Sequence, residues 1–257
     1  MDIKELQRNW NEFGKTDPLW AILTLPDKEG RRWDINAFFE TGAETIDLIF
    51  NKCESSGINI AKGKALDFGC GVGRLTQPLN KYFDEVYGVD IAPSMIELAK
   101  KYNRYSDKCK YILSDTDDLG LFPDNKFDFI ISLITLQHIE PRYSKNYIKE
   151  FLRILASNGI LIFQLQSEPI QNRPNRTARE KIKHILPIQL VNLYRKINCK
   201  IKRKNQPMME MYWIKQEDVI RLLHESGGEI ISIIDVKDVI AVKEKKWVNF
   251  IYIITKK

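Results

Sequence analysis

A glycine-rich turn after a short apolar run is the strongest chemical signal in the sequence. Gly69, Gly71 and Gly73 alternate with other residues directly after the run 65–68. Glycine lets the backbone approach a ligand closely, and a helix that follows such a turn presents free amide groups at its start. A dinucleotide-binding turn would need a glycine at position 74, but that residue is Arg74. The turn therefore indicates a nucleotide-like ligand other than a dinucleotide.

Two acids accompany this turn. Asp67 precedes the first glycine by two residues, and Asp90 closes the next predicted strand. A carboxylate at a strand end suits a ligand that carries an ammonium or a sulfonium better than it suits a pyrophosphate. The position of Asp90 also fits a carboxylate that accepts ribose hydroxyl groups. Together the two acids favour a cationic ligand that contains a ribose.

The elements that would position these residues follow from an alternation of short apolar runs and helical patterns, which is typical of a parallel sheet with crossover helices. Five strands are predicted, over residues 65–68, 85–90, 110–115, 127–132 and 160–165. Two later strands, 230–235 and 247–255, have no helix of useful length between them and should pair antiparallel. We therefore expect an α/β fold, a doubly wound, Rossmann-like seven-stranded sheet that is mostly parallel with an antiparallel last strand.

Helical patterns lie between these strands. One helix is predicted to begin at Gly73 and to run to Lys81, and another opens at Pro93 with Ser94 as its cap. Residues 1–60 are aromatic-rich and precede the sheet, and we expect a helical N-terminal cap over its ligand edge. Packing without ligand contact is the alternative, because aromatic residues at helical spacing are usually core.

A basic segment interrupts the pattern after the fifth strand. The whole chain has a net charge of +6, but residues 171–204 hold eleven lysines and arginines against Glu180 alone, so this segment is +10 and the remainder −4. Its apolar residues recur at helical spacing. We expect a helical basic insertion over residues 168–211, within a second domain that spans 61–257.

The remaining features describe a soluble, cytoplasmic protein. No run approaches the roughly 18 apolar residues of a membrane span, and the polar start is not a secretory signal. The four cysteines are widely spaced, which favours reduced thiols, and the three histidines form no metal-ligand pattern. We therefore expect no metal site. The sequence leaves the oligomeric state open.

Four stretches in order carry a family resemblance. They are ALDFGCGVGRLTQPL at 65–79, YGVDIAPSMIELAKK at 87–101, SDTDDLGLFPDNKFDFIISLITLQHI at 114–139 and LRILASNGILIFQ at 152–164. The chain resembles the class I S-adenosylmethionine-dependent methyltransferases, especially the small-molecule branch of the ubiquinone-biosynthesis type, over about residues 60–166. The resemblance implies that S-adenosylmethionine is the methyl donor, that S-adenosylhomocysteine is the product and that residues 61–257 form the methyltransferase domain.

The resemblance also implies roles for individual residues. The methionine portion of the donor would be surrounded by Asp67, Gly69, Cys70, Gly71 and Gly73. Asp90 with Ile91 would hold the ribose, Asp115 with Thr116 would meet the adenine edge, and Leu133 would lie near the sulfonium. His138 is the candidate base that removes a proton from a hydroxyl or amine acceptor; a structural role in the same loop is the alternative.

The interpretation we favour is that the methyl acceptor is a small molecule or a glycan precursor. This class includes acceptors that are anionic or linked to a lipid. The basic insertion would be a substrate lid that grips an anion, or an amphipathic helix that contacts a membrane through residues 176–204. Its charge also fits an RNA footprint, so tRNA or rRNA methylation is the second hypothesis. A non-catalytic S-adenosylmethionine-binding protein on the same fold is the third.

Overall fold

The structure, a computed structural model, describes residues 1–169, 207–236 and 247–256. Three helices come first: α1 (Ile3–Thr16), α2 (Pro18–Ile22) and α3 (Ile35–Ser55). The strands and helices that follow are β1 (Lys64–Phe68), α4 (Thr76–Leu79), β2 (Glu85–Asp90), α5 (Pro93–Tyr102), β3 (Cys109–Leu113), β4 (Phe127–Ser132), α6 (Pro141–Ile154), β5 (Leu155–Pro169), α7 (Gln216–Glu225), β6 (Gly228–Asp235) and β7 (Trp247–Lys256). Short 3₁₀ turns lie at Pro26–Lys28, Ser106–Lys108 and Leu136–His138.

The strands form one seven-stranded sheet in the order β3-β2-β1-β4-β5-β7-β6. The pairs from β3 through β5 are parallel, whereas β7 runs antiparallel to both β5 and β6. Apolar side chains from α6 and α7 pack on one face of the sheet, and those from α3, α4 and α5 pack on the other. The predicted fold, a mostly parallel Rossmann-like sheet of seven strands with an antiparallel last strand, is confirmed.

Two local predictions about helices are wrong. The helix expected from Gly73 to Lys81 is only the single turn of α4, because Gly73 has a φ of +87°, outside the helical region. Ser94 does not cap α5, since Ala92 occupies the cap position without a side-chain bond. Instead, the Ser94 hydroxyl donates to the Asn11 carbonyl over 2.8 Å, and the Ser94 amide donates to the Asn11 side chain over 3.0 Å. Ser94 therefore joins α5 to α1.

The structure differs from the predicted helical insertion, residues 168–211, at both ends of that range. Residues 168 and 169 continue β5, and residues 207–211 form no helix. The remainder, 170–206, lies outside the described residues, and so does the membrane contact predicted for 176–204. Within the described ranges, no helix has both the length and the apolar character that crossing a bilayer requires.

Candidate active site

A cavity opens at the carboxyl ends of the parallel strands, with α1 and α2 on its far side. Ligands of open α/β sheets bind at this edge because the strand order reverses there and leaves a crevice. Here the order turns between β1 and β4. The wall is formed by Leu6, Trp10, Ala21, Ile22, Phe68, Gly69, Gly71, Val89, Asp90, Ile91, Met95, Ser114, Leu133, Ile134, Thr135, His138, Ile139 and Tyr147.

The glycine-rich turn is held in a conformation that only glycine adopts easily. Gly69, Gly71 and Gly73 have φ angles of +76°, +53° and +87°. The amide of Gly69 donates to the Val89 carbonyl over 2.8 Å, which fixes the turn to the end of β2. A Cβ atom on Gly71 would lie 2.6 Å from the Cδ1 atom of Ile22 across the cavity. A larger residue would therefore close the space between the turn and α2.

Asp90 lies beside this turn and is anchored by two backbone amides. Its Oδ2 atom accepts from the Gly71 amide over 2.8 Å, and its Oδ1 atom accepts from the Ala92 amide over 2.8 Å. Burial raises the pKa of the Asp90 carboxyl, while the bonds from Ala92 and Gly71 oppose that rise. Each carboxylate oxygen has capacity for about two hydrogen bonds. Both oxygens can therefore accept a further donor from the cavity.

Asp67 lies below the turn rather than on the cavity wall. It is buried, and its Oδ2 atom accepts a 2.7 Å hydrogen bond from the Thr76 hydroxyl. Burial raises the pKa of the Asp67 carboxyl to about 7, against the opposing effects of the Thr76 bond and the Arg74 charge. Asp67 therefore titrates near neutral pH.

Arg74, the residue that breaks the dinucleotide pattern, is also buried and is directed away from the cavity. Its guanidinium lies 3.4 Å from the hydroxyl oxygens of Thr41 and Thr45 on α3. Gly42 lies between those two threonines, and a Cβ there would lie 2.0 Å from the Arg74 carbonyl oxygen. Position 74 thus joins α3 to the turn, and a glycine there could not make the side-chain contacts with Thr41 and Thr45.

The segment after β4 forms the opposite wall. Ile134 has a φ of +61°, which is rare for a β-branched residue and costs on the order of 1–3 kcal/mol. It lies between Leu133 and Thr135, and the Thr135 side chain would be 2.2 Å from a Cβ on Gly69. The turn and this segment are therefore in tight contact, and the strain is stored at the cavity.

The N-terminal helices supply the wall that faces the sheet. Leu6 and Trp10 of α1 and Ala21 and Ile22 of α2 line the cavity. None of these four was predicted as a site residue. The aromatic and apolar character of residues 1–60 was the available signal, but it does not show which of the side chains turn inward. Their place depends on how α1 docks on α5, which is a tertiary contact.

His138 lies in the wall at the end of the 3₁₀ turn, 4% exposed. Its Nδ1 atom is 2.8 Å from the Glu210 carbonyl oxygen, and its Nε2 atom is 3.2 Å from the side-chain nitrogen of Gln137. Its ring meets the Trp10 ring edge-on with centroids 5.2 Å apart. Burial lowers the pKa of His138, and the Glu210 carbonyl opposes this.

The structure brings six of the eleven predicted site residues to the cavity: Gly69, Gly71, Asp90, Ile91, Leu133 and His138. Cys70 and Gly73 belong to the turn but do not line the cavity, and a Cβ on Gly73 would lie 2.4 Å from the Tyr111 hydroxyl. Asp115 and Thr116 are exposed, and Ser114 lines the wall in their place. The roles of all eleven stay predictions. Among the described residues, no three His, Cys, Asp or Glu side chains cluster as metal ligands would.

Comparisons with known proteins agree with this architecture. Residues 66–163 match the family model described as a methyltransferase domain. A demethylmenaquinone methyltransferase of Staphylococcus aureus is 27% identical over 191 residues, which are 70% of this chain and 73% of that protein. The magnesium protoporphyrin IX methyltransferase of Synechocystis, solved with bound S-adenosylhomocysteine, superposes with a TM-score of 0.62 at 20% identity, over 100% of both chains. A S-adenosylmethionine-dependent methyltransferase from Clostridium acetobutylicum superposes with a TM-score of 0.57 at 18% identity, over 90% of this chain and 95% of that one.

The match over residues 66–163 and the similar proteins support a class I S-adenosylmethionine-dependent methyltransferase, and the sheet has the Rossmann-like fold of the solved methyltransferases. Residues 66–163 are the part of the chain that matches the methyltransferase domain, and the chain is a methyltransferase enzyme.

Proposed function

We propose that the cavity at Gly71 and Asp90 binds S-adenosylmethionine and that the enzyme methylates a hydroxyl or an amine of a small molecule. In this proposal Gly69 and Gly71 lie along the methionine portion, Asp90 and Ile91 hold the ribose, and Leu133 lies near the sulfonium. When bound, the donor supplies a methyl group that is already activated for displacement. The protein then has to position the acceptor and exclude water.

One observation gives the main support for the proposed donor site. The Asp90 carboxylate is oriented by two backbone amides, from Gly71 and Ala92, each at 2.8 Å. A carboxylate that is fixed in this way can accept the two hydroxyls of a ribose without reorganising. In this proposal the same bond keeps the Gly71 backbone close to the ribose, so that the turn and the acid act on one ligand.

The charge of the wall fits the same ligand. Asp90 is the only charged side chain among the described residues that line the cavity, and no lysine or arginine is among them. A pyrophosphate would leave its negative charge without a cation there, whereas a sulfonium and an ammonium need none. The residues present therefore fit S-adenosylmethionine.

The acceptor side of the wall supports an acceptor with an apolar body. Leu6, Trp10, Ile22 and Ile139 are among the apolar residues of the wall outside the donor positions. Similar proteins are named for demethylmenaquinone and magnesium protoporphyrin IX, which are small molecules with ring systems. We therefore propose a small-molecule acceptor that presents its hydroxyl or amine beside Leu133 while its apolar body contacts Trp10.

The predictions of an anionic, glycan or lipid-linked acceptor depend on the basic charge of residues 171–204, all of which lie outside the described residues. Such an acceptor would place its anionic group away from the apolar wall. None of the described contacts favours RNA, which remains an outcome of the experiment below.

Two measurements test the proposal. Calorimetric titration with S-adenosylmethionine and S-adenosylhomocysteine should show saturable binding of both. Purified enzyme should then transfer radiolabelled methyl into the small-molecule fraction of a cell lysate rather than into the lipid-linked or RNA fraction. Label confined to RNA would contradict the proposed acceptor class without affecting the donor site.

A further inference from the structure

His138 lies between the cavity and an extended segment that follows the undescribed residues. This segment, residues 208–214, is called the strap below. Met211 and Trp213 are exposed, and Ile214 is buried in the core. Met209 packs against the apolar cluster that includes Phe38 and Met95. The strap therefore crosses the sheet edge beside α1 and the cavity.

Three hydrogen bonds fasten the strap to the residues behind the cavity. The Tyr212 amide donates to the Gln137 carbonyl over 2.7 Å, and the Ile214 amide donates to the Gln166 carbonyl over 3.1 Å. The third is the 2.8 Å contact between His138 Nδ1 and the Glu210 carbonyl oxygen. It is the only one of the three made by a side chain, and it lies nearest to the start of the strap.

These contacts determine the protonation of the imidazole. A carbonyl oxygen only accepts hydrogen bonds, so Nδ1 carries the proton and Nε2 has the lone pair. That lone pair faces the Gln137 side-chain amide nitrogen at 3.2 Å, which can donate to it. The Gln137 amide is held in this orientation because its oxygen accepts from the Gln166 side chain over 3.2 Å. Both ring nitrogens are therefore engaged by protein groups.

The ring faces also have a partner. The Trp10 indole meets the His138 ring at 65° with centroids 5.2 Å apart, and Trp10 lines the cavity. Edge-to-face pairs of this kind contribute about 0.5–1.5 kcal/mol beyond the area they bury. His138 thus contacts the strap through one edge and a wall residue of α1 through its ring.

We propose that His138 is a positioning residue. It holds the Glu210 carbonyl of the strap and the Trp10 ring in fixed positions relative to each other, and thereby fixes the acceptor side of the cavity. In this role it does not remove the acceptor's proton. This inference rests on the proposed function for its effect on methyl transfer, but the fastening of the strap can be measured without any acceptor.

Two substitutions separate the functions of the two ring nitrogens. In H138N the side-chain amide nitrogen occupies about the position of Nδ1 and can still donate to the Glu210 carbonyl, but no basic nitrogen remains. In H138Q the amide reaches the position of Nε2 and leaves the Glu210 carbonyl without its donor. H138A removes both. His224, exposed on α7, supplies the matched control H224A.

Hydrogen exchange of a peptide that covers the strap reports the fastening. We expect exchange at Tyr212 to be about 10-fold faster in H138A and H138Q than in the wild type, and close to the wild-type rate in H138N and H224A. With radiolabelled donor and the small-molecule fraction of a lysate as acceptor source, methyl transfer should fall about 10- to 100-fold in H138A. H138N should restore most of this loss, and calorimetric affinity for S-adenosylhomocysteine should change less than about 3-fold throughout.

Two results would overturn the inference. If H138N restores slow exchange but transfers methyl as poorly as H138A, His138 acts as the base. If H138A leaves exchange of the strap unchanged, the Glu210 contact does not fasten it. Absence of S-adenosylhomocysteine binding in the wild type would instead count against the proposed function, and the exchange data would still decide the role of the His138–Glu210 bond.

Discussion

The carboxylate of Asp90 accepts a hydrogen bond from the backbone amide of Gly71 over 2.8 Å, which joins the ends of β1 and β2 at the cavity. The glycine turn and the acid are therefore one structural unit. Because the same carboxylate is also bonded to Ala92 at the start of α5, its orientation is set before a ligand arrives. This preorganisation leads to the first prediction.

Substitution D90N should weaken binding of S-adenosylmethionine by about 10- to 100-fold. The asparagine has one accepting oxygen in place of two and no charge, and each charge-assisted bond contributes about 1.5–3 kcal/mol. Calorimetric titration measures the change. E97Q, which alters an exposed acid on α5, serves as the control and should bind as the wild type does. Equal affinities in D90N and E97Q would contradict the ribose role of Asp90.

Gly71→Ala should abolish most donor binding, whereas Gly57→Ala should not affect it. Both glycines have a left-handed backbone, with φ angles of +53° and +70°, so both variants should lose about 1–2 kcal/mol of unfolding free energy through strain. Only a Cβ on Gly71 meets a wall atom, Ile22 Cδ1 at 2.6 Å, while nothing lies within 4 Å of one on Gly57. Thermal melts and calorimetry on both variants separate strain from obstruction. Normal binding by G71A would show that the turn does not border the ligand.

The pKa of Asp67 predicts a pH-dependent stability. Its folded-state pKa of about 7 lies above the unfolded value near 3.9, so the folded chain binds more protons between these pH values. Stability from this group therefore falls as pH rises through that window. D67N, which stays neutral, should melt a few degrees higher than the wild type at pH 8 and near the wild-type temperature at pH 4. D84N, at an exposed acid, serves as the control variant. A D67N melt that parallels the wild type at both pH values would rule out a raised pKa.

The same acid should make donor binding depend on pH. A cationic ligand above Asp67 and Asp90 favours their ionised forms, and burial raises the pKa of both. Affinity for S-adenosylmethionine should therefore fall as pH is lowered from 8 to 6. The fall should be smaller for S-adenosylhomocysteine, which lacks the sulfonium charge. Titrations of both ligands at the two pH values test this, and an equal or steeper dependence for the uncharged sulfur would speak against an electrostatic role for these acids.

The sheet could be predicted from sequence because its strands are buried apolar runs with clear ends. The predicted bounds of the second and fourth strands, 85–90 and 127–132, are those of β2 and β4 in the structure. Asp90 and the glycines followed from the same strand ends, since residues there meet at one edge of a parallel sheet.

The cavity-lining side chains of the N-terminal helices could not be predicted in the same way. Trp10 and Ile22 reach the cavity because α1 docks on α5 through Asn11 and Ser94, a contact between residues 83 positions apart. The hydroxyl of Ser94 looks like a helix cap in sequence, but it bonds to α1 instead. The hydrogen-bond partner of His138 could not be predicted either, because Glu210 lies 72 residues away along the chain. Local patterns do not encode such contacts.

A crystal structure of the enzyme with S-adenosylhomocysteine tests the central claim most directly. We expect one ligand per chain in the cavity between the glycine turn and α1, with its ribose hydroxyls about 2.5–3.0 Å from the Asp90 carboxylate oxygens. A nucleoside bound elsewhere, or a ribose whose hydroxyls make no hydrogen bond to Asp90, would contradict the account.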